Sequence, residues 1–339
     1  MILVTGGTGL VGSHLLFELT KNGEKVRALK RKSSNPEIVS KVFSYYTDHP
    51  DEFLSRIDWI EGDITNPAEV LIAFKGMTKV YHTAGIVSFD PADKKRILDN
   101  NIQGAANIVN ACLETGIEKL CFVSSAAASG QGEDGETLTE ELYWTKMGKE
   151  SIYAISKYQA EMEVWRGINE GLNAVIVNPS IILGPGNWQR SSLQLFNEVY
   201  KGLMFYTEGI TGYVDVRDVV KAMIFLMNSN LSAERYIISA ANYSYKDILS
   251  MIAESMGKRP PAIRATPFMI KTACIFYWTW SLLTSGKRKI ARDILTASKN
   301  RIHFSNDKIK NATGMEFIPI DESIRHTSEL FLKDCRVGL

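Results

Sequence analysis

The sequence predicts an α/β fold, a doubly wound parallel sheet with helices on both faces, and three observations predict it. Short apolar runs rich in β-branched residues alternate with helical patterns along the first half of the chain. A glycine-rich turn joins the first apolar run to the first helical pattern. The 339 residues suffice for one large domain or two modest ones that share a cleft. Strands that alternate with helices at this spacing specify right-handed parallel crossovers.

The first strand and its turn carry the first motif. Residues 1–4 are apolar, and residues 5–12 read Thr-Gly-Gly-Thr-Gly-Leu-Val-Gly before an amphipathic helix. Gly6 allows a tight turn, Gly9 lets the backbone approach a pyrophosphate, and Gly12 lets the helix pack against the sheet. The N–H groups of the new helix then face the phosphates, which predicts a dinucleotide-binding Rossmann domain. The expected cofactor contacts in this turn are Gly6, Gly9, Leu10, Val11 and Gly12.

The second strand, residues 25–29, bears on the choice of cofactor. Lys30, Arg31 and Lys32 follow it. A Rossmann domain that prefers NAD usually has an acid at this place, about 20 residues past the glycines. An acid would repel a 2′-phosphate, whereas the Arg31 guanidinium donates two N–H bonds to one. We therefore predict NADP(H), bound through Lys30 and Arg31, in preference to NAD(H); a solvated basic loop is the alternative.

Strands three and four, residues 57–65 and 79–85, end on further candidate contacts. Asp63 and Ile64 would bracket an adenine, or Asp63 would instead cap the helix at 67–75. Small residues after strand four let a cofactor lie flat across the strand ends. We interpret His82, which lies in a buried run, as a core histidine. The expected contacts here are Asp63, Ile64, Thr83, Ala84 and Gly85.

The fifth strand, residues 119–125, and the helix at 151–161 place the candidate catalytic groups. Ser125 ends the strand, while Tyr153 and Lys157 are four residues apart on one helix face. A free tyrosine, with a pKa of about 10, is a poor base at neutral pH. A neighbouring ammonium and a positive nicotinamide would favour the phenolate and lower that pKa. We predict that Tyr153 exchanges a proton with a substrate oxygen, Lys157 assists it and bonds the ribose hydroxyls, and Ser125 holds the oxygen.

Seven motifs spread over most of the chain form one set. They are Thr5-Gly-x-x-Gly-x-x-Gly12, Gly62-Asp63-Ile64, Asn101-Ile-x-Gly104, Ser124-Ser125, Tyr153-x-x-x-Lys157, Asn178 to Gly186 and Tyr213 to Val219. The set resembles the extended short-chain dehydrogenase/reductases, within the NAD-dependent epimerase/dehydratase superfamily. The resemblance implies a Rossmann domain of residues 1–178, to which 212–240 return, and a smaller, interleaved substrate domain of residues 179–211 and 241–339.

The same resemblance implies roles for individual residues. Ser125, Tyr153 and Lys157 correspond to the catalytic trio of the family. The helices at 96–114 and 153–170 are the surface through which many relatives form a homodimer. The further cofactor contacts that we expect are Asn101, Val123, Pro179, Ser180, Ile181 and Ile182.

The chain looks most like the dihydroflavonol-reductase and hydroxysteroid-dehydrogenase branch, which acts on one carbonyl or alcohol of an apolar ring substrate. The pointers are Lys30-Arg31, residues 82–85 and residues 214–219. A nucleotide-sugar epimerase or dehydratase with tightly bound NAD is the alternative, although an acid at the end of strand two is usual there. Ser129 stands where many members have tyrosine, which opens the pocket slightly. A third hypothesis is a nucleotide-sensing protein that catalyses no reaction. The presence of all three catalytic residues, Ser125, Tyr153 and Lys157, argues against it.

The candidate substrate contacts are inferred from position alone. Arg190 follows a Gly-Pro-Gly turn and would bind a carboxylate or diphosphate, or form a surface salt bridge. Aromatic residues on two loops would line an apolar wall. Asp215 and Asp218 are interpreted as helix-start residues before a helix at 219–227. The expected substrate contacts are Phe89, Ala126, Trp188, Arg190, Phe205 and Tyr206.

Composition and net charge indicate which classes of partner the chain is suited to bind. The net charge of +1 gives a nucleic-acid partner no electrostatic support. The four cysteines, Cys112, Cys121, Cys274 and Cys335, have no metal-ligand spacing and indicate reduced thiols, so we expect no metal and a cytoplasmic protein without a leader peptide. Residues 273–283 are apolar and aromatic, followed by basic residues, and are too short to span a bilayer. A buried helix or pocket wall is the favoured interpretation, and peripheral membrane contact is the alternative.

Overall fold

The computed structural model describes residues 1–88, 90–130, 136–142, 144, 150–266, 268–269 and 301–337. The strands, in chain order, are β1 (Ile2–Thr5), β2 (Val26–Lys30), β3 (Ile57–Glu61), β4 (Lys79–His82), β5 (Lys119–Val123), β6 (Thr137–Leu138), β7 (Ala174–Pro179), β8 (Ile181–Leu183), β9 (Phe205–Tyr206), β10 (Ile210–Asp215), β11 (Glu234–Ile238), β12 (Ala241–Ser244), β13 (Ile263–Arg264) and β14 (His303–Phe304). The α-helices are α1 (Leu10–Lys21), α2 (Glu37–Ser44), α3 (Pro50–Leu54), α4 (Pro67–Phe74), α5 (Lys94–Leu98), α6 (Gly104–Thr115), α7 (Ile152–Asn169), α8 (Gln194–Tyr200), α9 (Val216–Asn228), α10 (Tyr245–Ser255), α11 (Asp307–Thr313) and α12 (Ile320–Val337).

The main sheet has seven parallel strands in the order β11-β7-β5-β4-β1-β2-β3. Apolar side chains of α1 and α9 pack on one face, and those of α4, α6 and α7 pack on the other. Strands covered on both faces are expected to be apolar throughout, and β5 is buried along its whole length. The predicted doubly wound parallel sheet is therefore confirmed, with β7 and β11 extending it beyond the five strands identified first.

A second, three-stranded sheet in the order β12-β10-β8 carries the smaller lobe. It shares a hydrophobic cluster with α8, α10 and α12. We predicted that residues 212–240 return to the Rossmann domain, but β10 pairs antiparallel with β12 and parallel with β8. Within residues 212–240, α9 and β11 lie with the main sheet, where β11 pairs with β7, whereas β10 belongs to the second sheet.

The start of α9 differs from the prediction of a helix at 219–227. Asp215 is the N-cap residue, and its carboxylate accepts a hydrogen bond from the Arg217 N–H at 2.8 Å. Asp218 lies inside the first turn and accepts from the backbone N–H of Ile318 at 2.8 Å. The helix therefore begins at Val216, three residues earlier than expected, because the cap is supplied by Asp215.

The carboxylate of Asp334 on α12 ties the smaller lobe to the Rossmann domain. One of its oxygens accepts from the Tyr45 hydroxyl at 2.6 Å and the Trp188 indole at 2.6 Å, and it pairs with the Lys41 ammonium at 2.8 Å. Lys41 lies on α2, and Tyr45 directly follows that helix. This clasp, Asp334 with its three donors, holds α12 against α2.

Three of the four cysteines lie among the described residues, whereas several other residues named above lie outside them. Cys112 and Cys121 are buried free thiols, and Cys335 is half-buried. Cys274, Phe89 and the apolar segment 273–283 lie outside the described residues. Within the described ranges, no helix combines the length and the hydropathy that crossing a membrane requires.

Candidate active site

The glycine-rich turn between β1 and α1 is shaped for a close ligand. Gly9 precedes α1 without a side-chain cap, so no side chain takes up the first N–H groups of the helix. Gly6 has a φ of +75°, and a Cβ there would lie 2.6 Å from the Ala84 nitrogen. A Cβ on Gly12 would overlap the Gly6 carbonyl oxygen, whereas one on Gly9 would meet only that oxygen, at 3.2 Å.

The turn therefore fits a dinucleotide pyrophosphate. Open N–H groups at the start of a helix are donors for phosphate oxygens. The space that a Cβ on Gly9 would fill is where a phosphate can approach the backbone. Gly12 differs from its predicted role, because it packs α1 against the turn itself and not against the sheet.

Two basic residues at the end of β2, Lys30 and Arg31, differ in whether their charge is paired. Lys30 belongs to β2, which runs over Val26–Lys30 and not over 25–29, and its ammonium bonds to Glu61 on β3 at 3.0 Å. Arg31 follows the strand and is exposed. Arg31 makes no ion pair within the part of the chain that the structure describes. Its guanidinium is therefore available to an anionic ligand, while the Lys30 charge is already paired.

Asp63 follows β3 and bonds within its own loop. Its carboxylate accepts from the N–H and the hydroxyl of Thr65, at 2.9 and 2.8 Å. Asn66, and not Asp63, caps α4, accepting from the Ala68 N–H at 3.1 Å. The capping interpretation of Asp63 is therefore wrong, and adenine binding by Asp63 stays a prediction. Its neighbour Ile64 is buried.

The end of β4 combines a core histidine with small residues. The His82 ring nitrogen lies 2.6 Å from the Thr5 hydroxyl, and burial lowers the pKa of His82 to about 3. The imidazole is thus neutral and paired, as the core interpretation predicts. Thr83 donates to the Thr5 carbonyl at 2.7 Å, and Ala84 follows it, close to the glycine turn. A Cβ on Gly85 would lie 3.7 Å from the Lys157 ammonium, so this strand end reaches the candidate catalytic helix.

The structure brings Ser125, Tyr153 and Lys157 together at the carboxyl end of β5. The Ser125 hydroxyl accepts from the Ala127 N–H at 3.2 Å and is hydrogen-bonded to the Tyr153 phenol. The Lys157 ammonium is buried and donates to the Val123 carbonyl at 2.7 Å. All three polar groups therefore face one strand end, where ligands of such sheets bind.

The pKa of Tyr153 is shifted by burial. Burial of the phenol raises its pKa above the ordinary value, and the Ser125 hydrogen bond opposes this only in part. The pKa of Lys157 is itself lowered to about 8 by burial. In the chain itself desolvation dominates at the phenol, and the Lys157 ammonium is bonded to Val123. The predicted lowering of the Tyr153 pKa by Lys157 together with a positive nicotinamide stays a prediction.

Asn101 lies in a π-helical turn, Asp99–Gln103, between α5 and α6 where one continuous helix over 96–114 was predicted. Its amide accepts from the Ile86 N–H at 2.8 Å and donates to the Ser156 hydroxyl at 2.9 Å. Asn101 therefore joins the loop after β4 to α7. π-Helical turns inside α-helices are frequent at functional sites.

A buried polar network behind the trio was missed from the sequence. Glu161, on the same face of α7 as Tyr153 and Lys157, accepts from the Ser124 hydroxyl at 2.7 Å and the Asn178 amide at 2.8 Å. Arg235 pairs with it at 3.2 Å. The i, i+4, i+8 spacing of Tyr153, Lys157 and Glu161 was the signal that could have identified this carboxylate.

The segment after β7 runs beside this site. Pro179 ends β7, Ser180 donates its N–H to the Ile238 carbonyl at 3.0 Å, and Ile181 and Ile182 begin β8 with half-buried side chains. Ala126 is buried at the first position after Ser125.

The predicted substrate contacts differ in their burial: Trp188 is buried, whereas Arg190 and Phe205 are exposed. Trp188 is 3% exposed, packs on Phe331 with ring centroids 5.1 Å apart and donates to Asp334, so it is a core side chain and we leave it out of the substrate site. Arg190 is exposed and makes no ion pair among the described residues. Phe205 and Tyr206 form β9, and the Phe205 ring is exposed.

Comparison with known proteins identifies the family. The family model of the NAD dependent epimerase/dehydratase family matches residues 2–239. A putative dihydroflavonol 4-reductase of Synechocystis sp. is 30% identical over 265 residues, 76% of this chain and 73% of the relative. Sterol demethylase protein B of Methylococcus capsulatus is 26% identical over 308 residues, 84% of this chain and 89% of the relative.

Solved structures agree in fold. The crystal structure of gox2253 has a TM-score of 0.82 at 26% identity and covers 99% of both chains. The UDP-glucose 4-epimerase of Thermus thermophilus, solved with NAD, has a TM-score of 0.74 at 22% identity and covers 98% of this chain and 99% of its own; it shows the fold alone. The chain belongs to the NAD dependent epimerase/dehydratase family and is an NAD(P)-dependent enzyme, as its motifs predict.

Proposed function

We propose that this member of the NAD dependent epimerase/dehydratase family is an NADP(H)-dependent reductase of a carbonyl group on an apolar ring substrate. The observation that carries the proposal is the convergence of Ser125, Tyr153 and Lys157 beside the strand ends that meet the glycine turn. Two relatives are named as a dihydroflavonol reductase and a sterol demethylase protein, which supports a carbonyl or alcohol on a ring.

Preference for NADP(H) is supported by the charges at the end of β2. Arg31 is exposed there, and a guanidinium binds a phosphate through two parallel N–H bonds. Glu61 on the neighbouring strand would repel a 2′-phosphate, but Lys30 neutralises it at 3.0 Å. Arg31 is therefore the residue we propose for the 2′-phosphate, with Lys30 as the group that removes the opposing charge.

We assign a separate role to each of the three catalytic residues, Ser125, Tyr153 and Lys157. The bound nicotinamide supplies the hydride. Ser125 donates a hydrogen bond to the substrate oxygen and holds it next to Tyr153. Because burial raises the pKa of Tyr153, the phenol is protonated at neutral pH and can donate its proton to that oxygen. Lys157, with a pKa of about 8, is mostly a cation at pH 7 and bonds the ribose hydroxyls.

Replacement of Tyr153 by Phe tests the proposal. Tyr153→Phe should lower NADPH oxidation with a panel of apolar cyclic ketones by about 10²–10⁴-fold, because the proton donor is lost. The affinity for NADPH, measured by fluorescence titration, should stay within about threefold, because the nearby charges are kept.

Tyr158 provides the matched control. It lies on the same helix and stacks on Trp144 with ring centroids 4.5 Å apart. Tyr158→Phe keeps that stacking and removes only the hydroxyl, so ketone turnover should be unchanged. Turnover retained in Tyr153→Phe, or lost equally in Tyr158→Phe, would contradict the mechanism.

The second candidate function is a nucleotide-sugar epimerase or dehydratase. Exposed Arg190 favours it, because a free guanidinium near the smaller lobe suits a diphosphate. Such an enzyme would keep NAD through purification and convert a nucleotide sugar without net consumption of NADPH.

A further inference from the structure

Glu161 is a buried carboxylate that the proposed chemistry does not use. Its side chain is fully buried on α7, one turn after Lys157 and two turns after Tyr153. Four donors meet it: the Ser124 hydroxyl at 2.7 Å, the Asn178 amide at 2.8 Å, the Arg235 guanidinium at 3.2 Å and the Trp165 indole at 3.3 Å. Since every partner is a donor, the ionised carboxylate is the form that satisfies them.

The network ties three neighbouring strands, β5, β7 and β11, to the catalytic helix. Ser124 immediately precedes Ser125 at the end of β5. The amide of Asn178 on β7 bonds both Glu161 and, at 3.1 Å, the Ser125 carbonyl. Arg235 on β11 also donates to the carbonyl of Glu140 at 2.9 Å. A displacement of the Glu161 carboxylate would therefore move the backbone that carries Ser125.

The same carboxylate follows Lys157 by one turn of α7 and acts on its ammonium through charge, without an ion pair between these two described residues. The other groups at the ammonium are the Val123 carbonyl and the Phe122 ring on β5 and His82 on β4, and Tyr153 precedes Lys157 by one turn of α7. Tyr153 and His82 are neutral at pH 7, because burial raises the pKa of the phenol and lowers that of the imidazole. Burial lowers the pKa of Lys157, and Glu161 opposes that effect.

We propose that Glu161 is a positioning residue of this site, which holds the ends of β5 and β7 in register and keeps the Lys157 ammonium charged for the cofactor. The inference rests on the proposed function, since it takes Lys157 to bind the ribose of NADPH. Glu161 itself touches neither substrate nor cofactor, and its effect passes through Lys157 and Ser125.

The pH dependence of NADPH affinity separates charge from structure. Dissociation constants of NADPH are measured by fluorescence between pH 7 and 10 for the wild type, Glu161→Gln and Ser124→Ala. In the wild type, affinity should fall as Lys157 loses its proton, and Lys157→Met should abolish that step. In Glu161→Gln, the midpoint should move about one pH unit lower, because a nearby carboxylate favours the charged lysine.

Ser124→Ala is the matched control. It removes one hydrogen bond from Glu161 and keeps the negative charge, so the midpoint of its NADPH step should equal that of the wild type. A wild-type midpoint in Glu161→Gln, or an equal shift in both variants, would overturn the proposal.

Glu161→Asp keeps the test decisive if Glu161→Gln does not fold. It preserves the charge and shortens the side chain by one methylene, so its midpoint should remain that of the wild type. A midpoint one unit lower in Glu161→Asp would overturn the role of the charge. Failure of the wild type to bind NADPH would instead contradict the proposed function itself, as would full turnover in Tyr153→Phe.

Discussion

Asp218 in the first turn of α9 shows what burial does to one carboxyl group. The residue is 3% exposed, and burial raises its pKa to about 6, although the Ile318 N–H donates to it. In the unfolded chain the carboxyl has a pKa near its ordinary value of 3.8. Between these two values the folded state binds more protons than the unfolded state. Stability is therefore lost as the pH rises through this window, and the full cost remains above it.

Asp218→Asn should remove that cost. At pH 8 the free energy of unfolding should rise by roughly 2–3 kcal/mol, because each unit of pKa shift is worth about 1.4 kcal/mol. At pH 3.5, where the carboxyl is protonated in the folded state and mostly protonated in the unfolded state, the substitution should change little. Urea denaturation at the two pH values measures the difference.

Asp321→Asn is the control for Asp218→Asn. Asp321 lies at the exposed start of α12, paired with Arg325 at 3.2 Å, and its substitution should change stability by less than about 1 kcal/mol at either pH. A lower stability of Asp218→Asn at pH 8 would show that the ionised form is the one the fold favours.

Individual residues also show which features could be predicted from the sequence and which could not. The position of Ser125, Tyr153 and Lys157 followed from the order of strands and from helix periodicity, which are local properties. The burial of Trp188 depends on Phe331 and Asp334, more than 140 positions later along the chain, so no local pattern contained it. The raised pKa of Tyr153 likewise depends on how tightly distant elements enclose the phenol.

At the level of elements, the turn before α1 combines two glycines with different constraints. A Cβ on Gly12 would overlap the Gly6 carbonyl, so Gly12→Ala should deform the turn, lower stability and abolish NADPH binding. A Cβ on Gly9 would make a tight contact, 3.2 Å from the Gly6 oxygen, which a small shift of the turn can relieve. Gly9→Ala should therefore lower stability much less than Gly12→Ala and still weaken NADPH binding, because its methyl group occupies the proposed phosphate space.

Thermal unfolding and NADPH titration of the two alanine variants measure these effects side by side. Wild-type NADPH affinity in Gly9→Ala would contradict the placement of the pyrophosphate. Equal loss of stability in both variants would contradict the separate roles of the two glycines.

The strands of the main sheet were more predictable than the strands outside it. Strands of the main sheet are buried on both faces and read as apolar runs, so β1, β4 and β5 were evident. The two-residue strands β6 and β14 pair with each other across more than 160 positions of the chain, and their residues carry no periodicity of their own. The pairing of β10 with β12 and β8 was missed although β10 has six residues, because its partners are determined by the tertiary fold.

At the level of the whole molecule, the clasp at Asp334 connects the two lobes. It joins α12 of the smaller lobe to Lys41 and Tyr45, at α2 of the Rossmann domain. The alternation of strands and helices predicted the sheet and the edge at which ligands bind. The division into lobes was predicted less well. The predicted boundary at residue 212 falls inside β10, which belongs to the sheet of the smaller lobe.

The central claim is an exchangeable NADP(H) held through Arg31, and a fluorescence titration with NADPH and NADH tests it most directly. Mass spectrometry first checks the purified protein for retained nucleotide. We expect a protein without bound nucleotide that binds NADPH on the order of tenfold or more tightly than NADH. Arg31→Ala should remove this preference, and Arg190→Ala, at another exposed arginine, should preserve it. Retained NAD, or a preference for NADH in the wild type, would contradict the 2′-phosphate site at Arg31 and favour the epimerase or dehydratase.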